Sequence, residues 1–208
     1  GYGRFAIGGR GGVVYHVTSL DDDAENPQPG TFRYGITKVT GPRTIVFDVA
    51  GVIELKARLM CSDKFVTIAG QTAPGRGIMF KGSPFGMQSD GITRFIRMRV
   101  GGADDWDGVS ANENTSDGMG MSGNDHSIMD HCTIGWTIDE AFSSRNAKNV
   151  TLQRTMLAET LNQAGHKNYD NRTNHGYAAT IGGDCGSYHH NLLAHNEGRN
   201  WSLSGGLD

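Results

Sequence analysis

The sequence predicts an all-β fold, and within that class a parallel β-helix, a solenoid of stacked coils. Three observations predict it. Short runs rich in Val, Ile, Thr and Phe recur along all 208 residues, each bounded by Gly, Pro, Asn or Asp. The 31 glycines are about twice ordinary usage and follow neither a collagen period nor a linker pattern, so they mark turns between many strands. Apolar or aromatic residues at comparable points of successive runs (Ile68, Ile96, Ile128, Leu152 and Tyr188) are 28, 32, 24 and 36 residues apart. That suits coils of about two dozen residues with loops of variable length.

In chain order the strand candidates are 12–18, 44–54, 65–69, 77–80, 92–100, 127–134, 149–156 and 186–193. Short helices are expected over 32–38 and 156–163. No Asn-Gly or Asp-Gly joins two neighbouring runs as a two-residue hairpin, which counts against an antiparallel sandwich. The repeat by itself leaves the sandwich open. Three runs end alike, in Asp130-His131-Cys132-Thr133, Leu152-Gln153-Arg154-Thr155 and His189-His190-Asn191-Leu192. Polar side chains there can bond backbone groups freed where a solenoid bends.

Composition narrows the function classes. Nineteen Lys and Arg stand against 22 Asp and Glu, a net charge of −3. That balance predicts neither a nucleic-acid nor an anionic-membrane partner. No apolar run approaches the ~20 residues of a membrane span. The start at Gly1, without Met or a signal peptide, reads as a processed or trimmed chain. Cys61, Cys132 and Cys185 have no zinc-motif spacing and read as small buried hydrophobes with at most one disulfide. Sequons at Asn114, Asn149, Asn171 and Asn200 are compatible with a secreted glycoprotein. The Gly8-Gly9-Arg10-Gly11-Gly12 run precedes a β-run and does not link a strand to a helix, so it lacks the context of a phosphate cradle.

Four segments resemble secreted pectate lyases. They are Gly3-Arg4-Phe5 with Gly8–Gly12 and Val14-Tyr15-His16-Val17-Thr18; Gly30-Thr31-Phe32-Arg33-Tyr34 with Thr44–Ile53; Ile128–Thr133 with Trp136 and Ile138-Asp139-Glu140; and Gly186–Asn196 through Arg199. The resemblance implies a right-handed parallel β-helix with a short N-terminal capping helix. It also implies calcium-assisted β-elimination on polygalacturonate or a related uronan, outside the cell. Residues 1–208 are then one catalytic domain, expected as a monomer. Typical members continue for several coils beyond the position of Arg199, so those coils are expected to be missing or to come from a second chain.

The reaction sets the residue types. β-Elimination takes the C5 proton of a uronate, so the enzyme must stabilise charge on the neighbouring carboxylate. Calcium takes oxygen ligands, and Asp117, Asp139 and Glu140 are the expected set by the resemblance. Strand alternation sends Asp139 and Glu140 to opposite faces, so joint ligation needs a bend there. Arg199 matches the base, Lys167 and Arg145 are candidates for substrate carboxylates, and Trp201 for stacking on a sugar. Tyr169 and Arg172 are weaker candidates; Asp104, Asp105 and Asp107 read as a solvated loop. Two departures leave the uronan open. Glu159-Thr160 stands near a usual lysine, and Asn200, Trp201 and Ser204 stand where a second arginine and a proline often follow the base. The alternatives are a glycoside hydrolase on the same fold, using two of the carboxylates, and a non-catalytic glycan-binding β-helix.

Overall fold

The computed structural model of the protein describes residues 1–101, 117–164 and 175–204, and the fold is a parallel β-helix. Its elements run β1 (Val13–Val17), α1 (Phe32–Thr37), β2 (Arg43–Phe47), β3 (Gly51–Glu54), β4 (Leu59–Met60), β5 (Val66–Ala69), β6 (Ile78–Lys81), β7 (Phe85–Gly86), β8 (Ile92–Arg94) and β9 (Arg97–Arg99). They continue with β10 (Met119–Gly120), β11 (Ile128–Asp130), β12 (Thr133–Gly135), β13 (Phe142–Gln153), β14 (Met156–Ala158), β15 (Ala179–His189), β16 (Leu192–Ala194) and β17 (Ser202–Leu203).

Every strand pairing among the described residues is parallel, and three faces result. The first stacks β4, β7, β10, the start of β13, the start of β15, and β17. The second stacks β1, β2, β5, β8, β11 and the ends of β13 and β15. The third stacks β3, β6, β9, β12, β14 and β16. β13 and β15 each turn the corner from the first face to the second. Left-handed residues make the bend: Asn146 and Asn149 in β13, Gly183 and Cys185 in β15.

The predicted runs 44–54, 92–100 and 127–134 each prove to be two strands on different faces. Composition hides the corner because both arms are β-rich. A single left-handed residue makes the turn from the second face to the third: Phe95, His131, Arg154 and His190, at φ 55°, 55°, 48° and 57°. The next side chain along feeds a polar ladder. The Cys132 N–H donates to Thr155 Oγ1 (3.3 Å), the Thr155 N–H to Asn191 Oδ1 (2.9 Å), and Asn191 Nδ2 to the Leu152 carbonyl (3.0 Å).

Register also corrects the repeat. The column on the second face is Ile45, Ile68, Thr93, Met129, Leu152 and Tyr188. Ile96 is instead a corner residue, and Ile128 lies one position short of the column. The helix expected over 156–163 is β14 followed by a turn, because Leu157 is buried in the coil stack and stands abreast of Leu193. Packing there overrides helical propensity.

The N-terminal end is closed by α1. Thr31 caps it by accepting from the Tyr34 N–H. Phe32 is fully buried, its ring 4.5 Å from Phe80 and 5.5 Å from Phe85, so truncation to Ala would cost about 3–5 kcal/mol. Arg43, also fully buried, donates to the Gly35 and Ile36 carbonyls and pairs with Asp63. The glycine-rich opening is a strap across the second face. A Cβ on Gly9 would fall 2.1 Å from the Arg43 carbonyl oxygen, and one on Gly12 1.8 Å from that of Pro42. Close approach explains those glycines. All three cysteines are free thiols, so no disulfide forms. No helix among the described residues is long and apolar enough to cross a membrane.

Candidate active site

The first face gathers the chemistry. Its ladder sets Met119, Phe142 and Ala179 abreast. Two residues earlier in each strand, Asp117, Glu140 and Tyr177 therefore share one level. Tyr177 bridges to Gly198, and the Ala179 N–H donates to the Arg199 carbonyl, which brings Arg199 to the same edge one coil on. The chain bends at Ile138, Asp139 and Ala141. That bend overcomes the alternation that would part Asp139 from Glu140. Carboxylate oxygens of Asp117, Asp139 and Glu140 lie within 4.8 Å of one another.

Glu140 is the buried centre, 1% exposed. Its Oε1 accepts from Thr180 Oγ1 (2.7 Å), from Arg145 Nη2 (3.0 Å) and from Arg199 Nη1. The Arg199 guanidinium also lies over the Tyr177 ring, 4.0 Å from its centroid. His175 Nε2 lies 2.7 Å from Asp139 Oδ1, and its ring is 4.4 Å from that of Tyr177.

These contacts divide the three acids. Burial, then the charges of Glu140 and Asp139, push Asp117 up to about 7. Burial and the hydrogen bond and charge of Glu140 raise Asp139, against the pull of His175. Burial opposes ionisation of Glu140 too. Hydrogen bonds from Asp139 and Thr180 and the charges of Arg199 and Arg145 outweigh it and hold Glu140 at about 2. Both guanidiniums are committed to one carboxylate, which leaves the other two crowded.

Of the residues expected from sequence, Asp117, Asp139, Glu140, Arg145 and Arg199 are brought together. Trp201 is not among them; its ring packs on Tyr188, 5.8 Å between centroids, and against the core. Lys167, Tyr169, Arg172, Asp104, Asp105 and Asp107 lie outside the described residues. Sequence reasoning missed His175, Tyr177 and Thr180. Tyr177 stands one coil beyond Glu140 at the same level, a signal hidden by unequal coil lengths.

No family model matches the chain. Among curated proteins it is similar to "Probable pectate lyase C" of Emericella nidulans, 40% identical over 164 residues, covering 77% of this chain and 35% of that protein. The protein of the same name from Aspergillus oryzae is 39% identical over the same share of this chain and 36% of its own length. "Pectate lyase 5" of Ambrosia artemisiifolia is 30% identical over 200 residues, 87% of this chain and 48% of that protein. Among solved structures, jun a 1, the major allergen from cedar pollen, superposes with a TM-score of 0.59 at 22% identity, over 92% of this chain and 58% of that one.

Fold and site together define a parallel β-helix protein with clustered carboxylates and guanidiniums on one face. Within that class the chain is a homologue of the pectate lyases. It spans between about a third and a half of the length of these curated relatives.

Proposed function

We propose that this chain carries the catalytic face of an extracellular polysaccharide lyase that cleaves pectate, or a related uronan, by calcium-assisted β-elimination. One observation supports this above the rest: Arg199 and the Asp117, Asp139 and Glu140 carboxylates meet at one edge of the first face. The donor set suits a hard divalent cation, being all carboxylate oxygen. Crowding that raises Asp117 and Asp139 is the strain a cation relieves.

Calcium, when bound, would draw charge from the sugar carboxylate and acidify its C5–H. The chain's own residues do the rest. Asp117, Asp139 and Glu140 fix where the sugar acid sits. Tyr177 and Glu140 hold the Arg199 side chain in position. Arg199 takes the C5 proton, the C–H electron pair becomes the C4–C5 double bond, and the C4–O bond breaks to release the 4-linked sugar. Arg145, exposed beside Glu140, is placed for a second sugar carboxylate.

A hydrolase reading has one observation in its favour: Asp117, raised to about 7, beside ionised Glu140 is an acid–base pair. The test separates the two. Polygalacturonate is incubated with the protein, with calcium and with chelator, while ultraviolet absorbance is followed. Elimination gives a conjugated, absorbing product only with calcium. New reducing ends without absorbance would establish hydrolysis instead.

A further inference from the structure

A second concavity lies away from the first face, at the corner between the second and third faces. It is an open groove of about 350 Å³, and pockets that hold small ligands begin at about 300 Å³. Gln71, Arg76, Ile78, Phe95, Arg97 and His131 are among the residues lining it. Thr133, at the start of β12, lines it too, whereas Asp139 and Glu140 follow the other end of β12. The third face therefore separates this groove from the acid cluster.

The groove has the opposite sign to that cluster. None of its lining residues is Asp or Glu, although the chain as a whole carries a net charge of −3. Arg76 is exposed, and its side chain makes no hydrogen bond or ion pair among the described residues. Arg97 donates from Nε to the Ile78 carbonyl (3.4 Å) and from Nη2 to the Arg76 carbonyl. Those bonds hold its guanidinium in place and set no carboxylate against its charge. The neighbouring acid, Asp130, is already shared by Arg94, Gln153 and His131. One fixed guanidinium beside one free one suits a carboxylate from outside.

The corner adds an aromatic wall. Register sets Ala69, Arg94 and Asp130 abreast, so Gly70, Phe95 and His131 follow one another up the corner. The Phe95 and His131 rings stack at 4.7 Å between centroids and 9° between planes, and Phe95 is 39% exposed. Gly70 has no side chain to continue the stack; a Cβ there would fall 2.4 Å from the Phe95 carbonyl oxygen. The stack ends at Phe95, and the groove opens beside it. Ring, guanidiniums and the exposed Gln71 amide are the groups that recognise an acidic sugar, through its C–H face, its carboxylate and its hydroxyls.

Resting on the lyase reading for the identity of the polymer, we propose that this groove is a second, non-catalytic uronan site, in which Arg76 and Arg97 take a free carboxylate and a sugar ring packs on Phe95. It needs no calcium, because guanidinium and carboxylate pair directly. It holds one stretch of polymer at the third face while the acid cluster works on another, which keeps the enzyme on its substrate between cleavages.

Chelator separates the two sites, since the crowded acids of the first face repel a polyanion when no cation is present. Titration calorimetry with hexagalacturonate in chelator should show binding by wild type, about tenfold weaker binding by Arg76→Glu and a few-fold weaker binding by Phe95→Asn. Both variants should fold, because the Arg76 side chain has no partner to lose and Asn suits the left-handed φ of 55° at Phe95; thermal melts check this. With calcium, Arg76→Glu should match wild type on trigalacturonate and release product more slowly from a pectate gel. No wild-type binding in chelator, or equal binding by wild type and Arg76→Glu, would overturn the site. Single-stranded DNA bound as tightly as hexagalacturonate would overturn the uronan assignment. Absence of unsaturated product from any of the proteins would overturn the lyase reading instead; the chelator titrations judge the groove without it.

Discussion

Two carboxylates of this molecule, buried Asp130 and half-buried Asp117, have opposite surroundings. Asp130 ends β11 at the corner between the second and third faces and is 4% exposed. It accepts from Arg94 Nε and Gln153 Nε2, each at 2.9 Å, and lies 2.7 Å from His131 Nδ1. Burial works against its charge, but the Gln153 and Arg94 hydrogen bonds and the His131 and Arg94 charges prevail and lower its pKa. Asp117, burdened by two neighbouring acids, is pushed up to about 7. The corner satisfies its acid from within the fold. On the first face Glu140 is satisfied in the same way, while burial and two like charges hold Asp117 up, the kind of perturbation that clusters at functional sites.

The largest expected effect tests what the face is for. Arg199→Lys keeps the charge beside Glu140 but loses the planar guanidinium. Elimination should fall at least about 100-fold, the scale of a positioned proton-transfer group. Ultraviolet initial rates would show it, with unchanged melting as the control. Retained activity would remove Arg199 from the proton transfer.

Next comes stability at the corner. Asp130→Asn leaves Arg94 and His131 without their carboxylate, and about 2 kcal/mol should be lost, less than for a fully buried pair because those partners are partly exposed. Urea unfolding at pH 7 measures this. The sign follows from a lowered pKa. The contribution is present above the ordinary aspartate value of 3.8 and is lost as pH falls through the lower folded value. The variant's acid-side decline should be shallower than wild type's.

Asp117→Asn should do the reverse. A raised pKa contributes stability that is complete below 3.8 and lost as pH rises through about 7. In chelator at pH 8 the Asn variant should therefore be more stable than wild type, by about 1 kcal/mol, with no such gain near pH 4. Calcium should raise the wild-type melting temperature more at pH 8 than at pH 5 and raise the variant's less. A wild-type calcium shift independent of pH would break the contrast between corner and face.

The sequence shows the corner better than the face. Asp130-His131 stands at the end of a recognisable run, and its left-handed turn follows within one residue, so local pattern suffices. The first-face strands are as short as Leu59–Met60 and Met119–Gly120, too brief to show alternation. Only the resemblance points to Asp117, Asp139 and Glu140, by motif. Thr180 and Tyr177 carry no motif. They reach the site through register between coils of unequal length, and spacing alone does not give register. Trp201 follows Arg199, where an aromatic looks like a sugar platform; its ring packs on Tyr188 and against the core.

The smallest expected effect is the sharpest comparison, because two histidines make the same contact in the two places. His131 Nδ1 lies 2.7 Å from Asp130 Oδ1, and His175 Nε2 lies 2.7 Å from Asp139 Oδ1. His131→Asn should cost about 0.5 kcal/mol, since its side chain is 38% exposed and Asn tolerates the left-handed turn. Calcium affinity should not change, because Asp130 retains Arg94 and Gln153. His175→Asn takes from Asp139 the neighbour that pulls its pKa down, while burial and Glu140 still push it up. Asp139 then ionises at higher pH, and calcium should bind about threefold more weakly near neutrality, with the difference closing as pH rises. Calorimetric calcium titrations of the two variants would decide it. If His131→Asn weakened calcium as much as His175→Asn, the two carboxylates would belong to one electrostatic unit, and the corner would have no claim to being closed on itself.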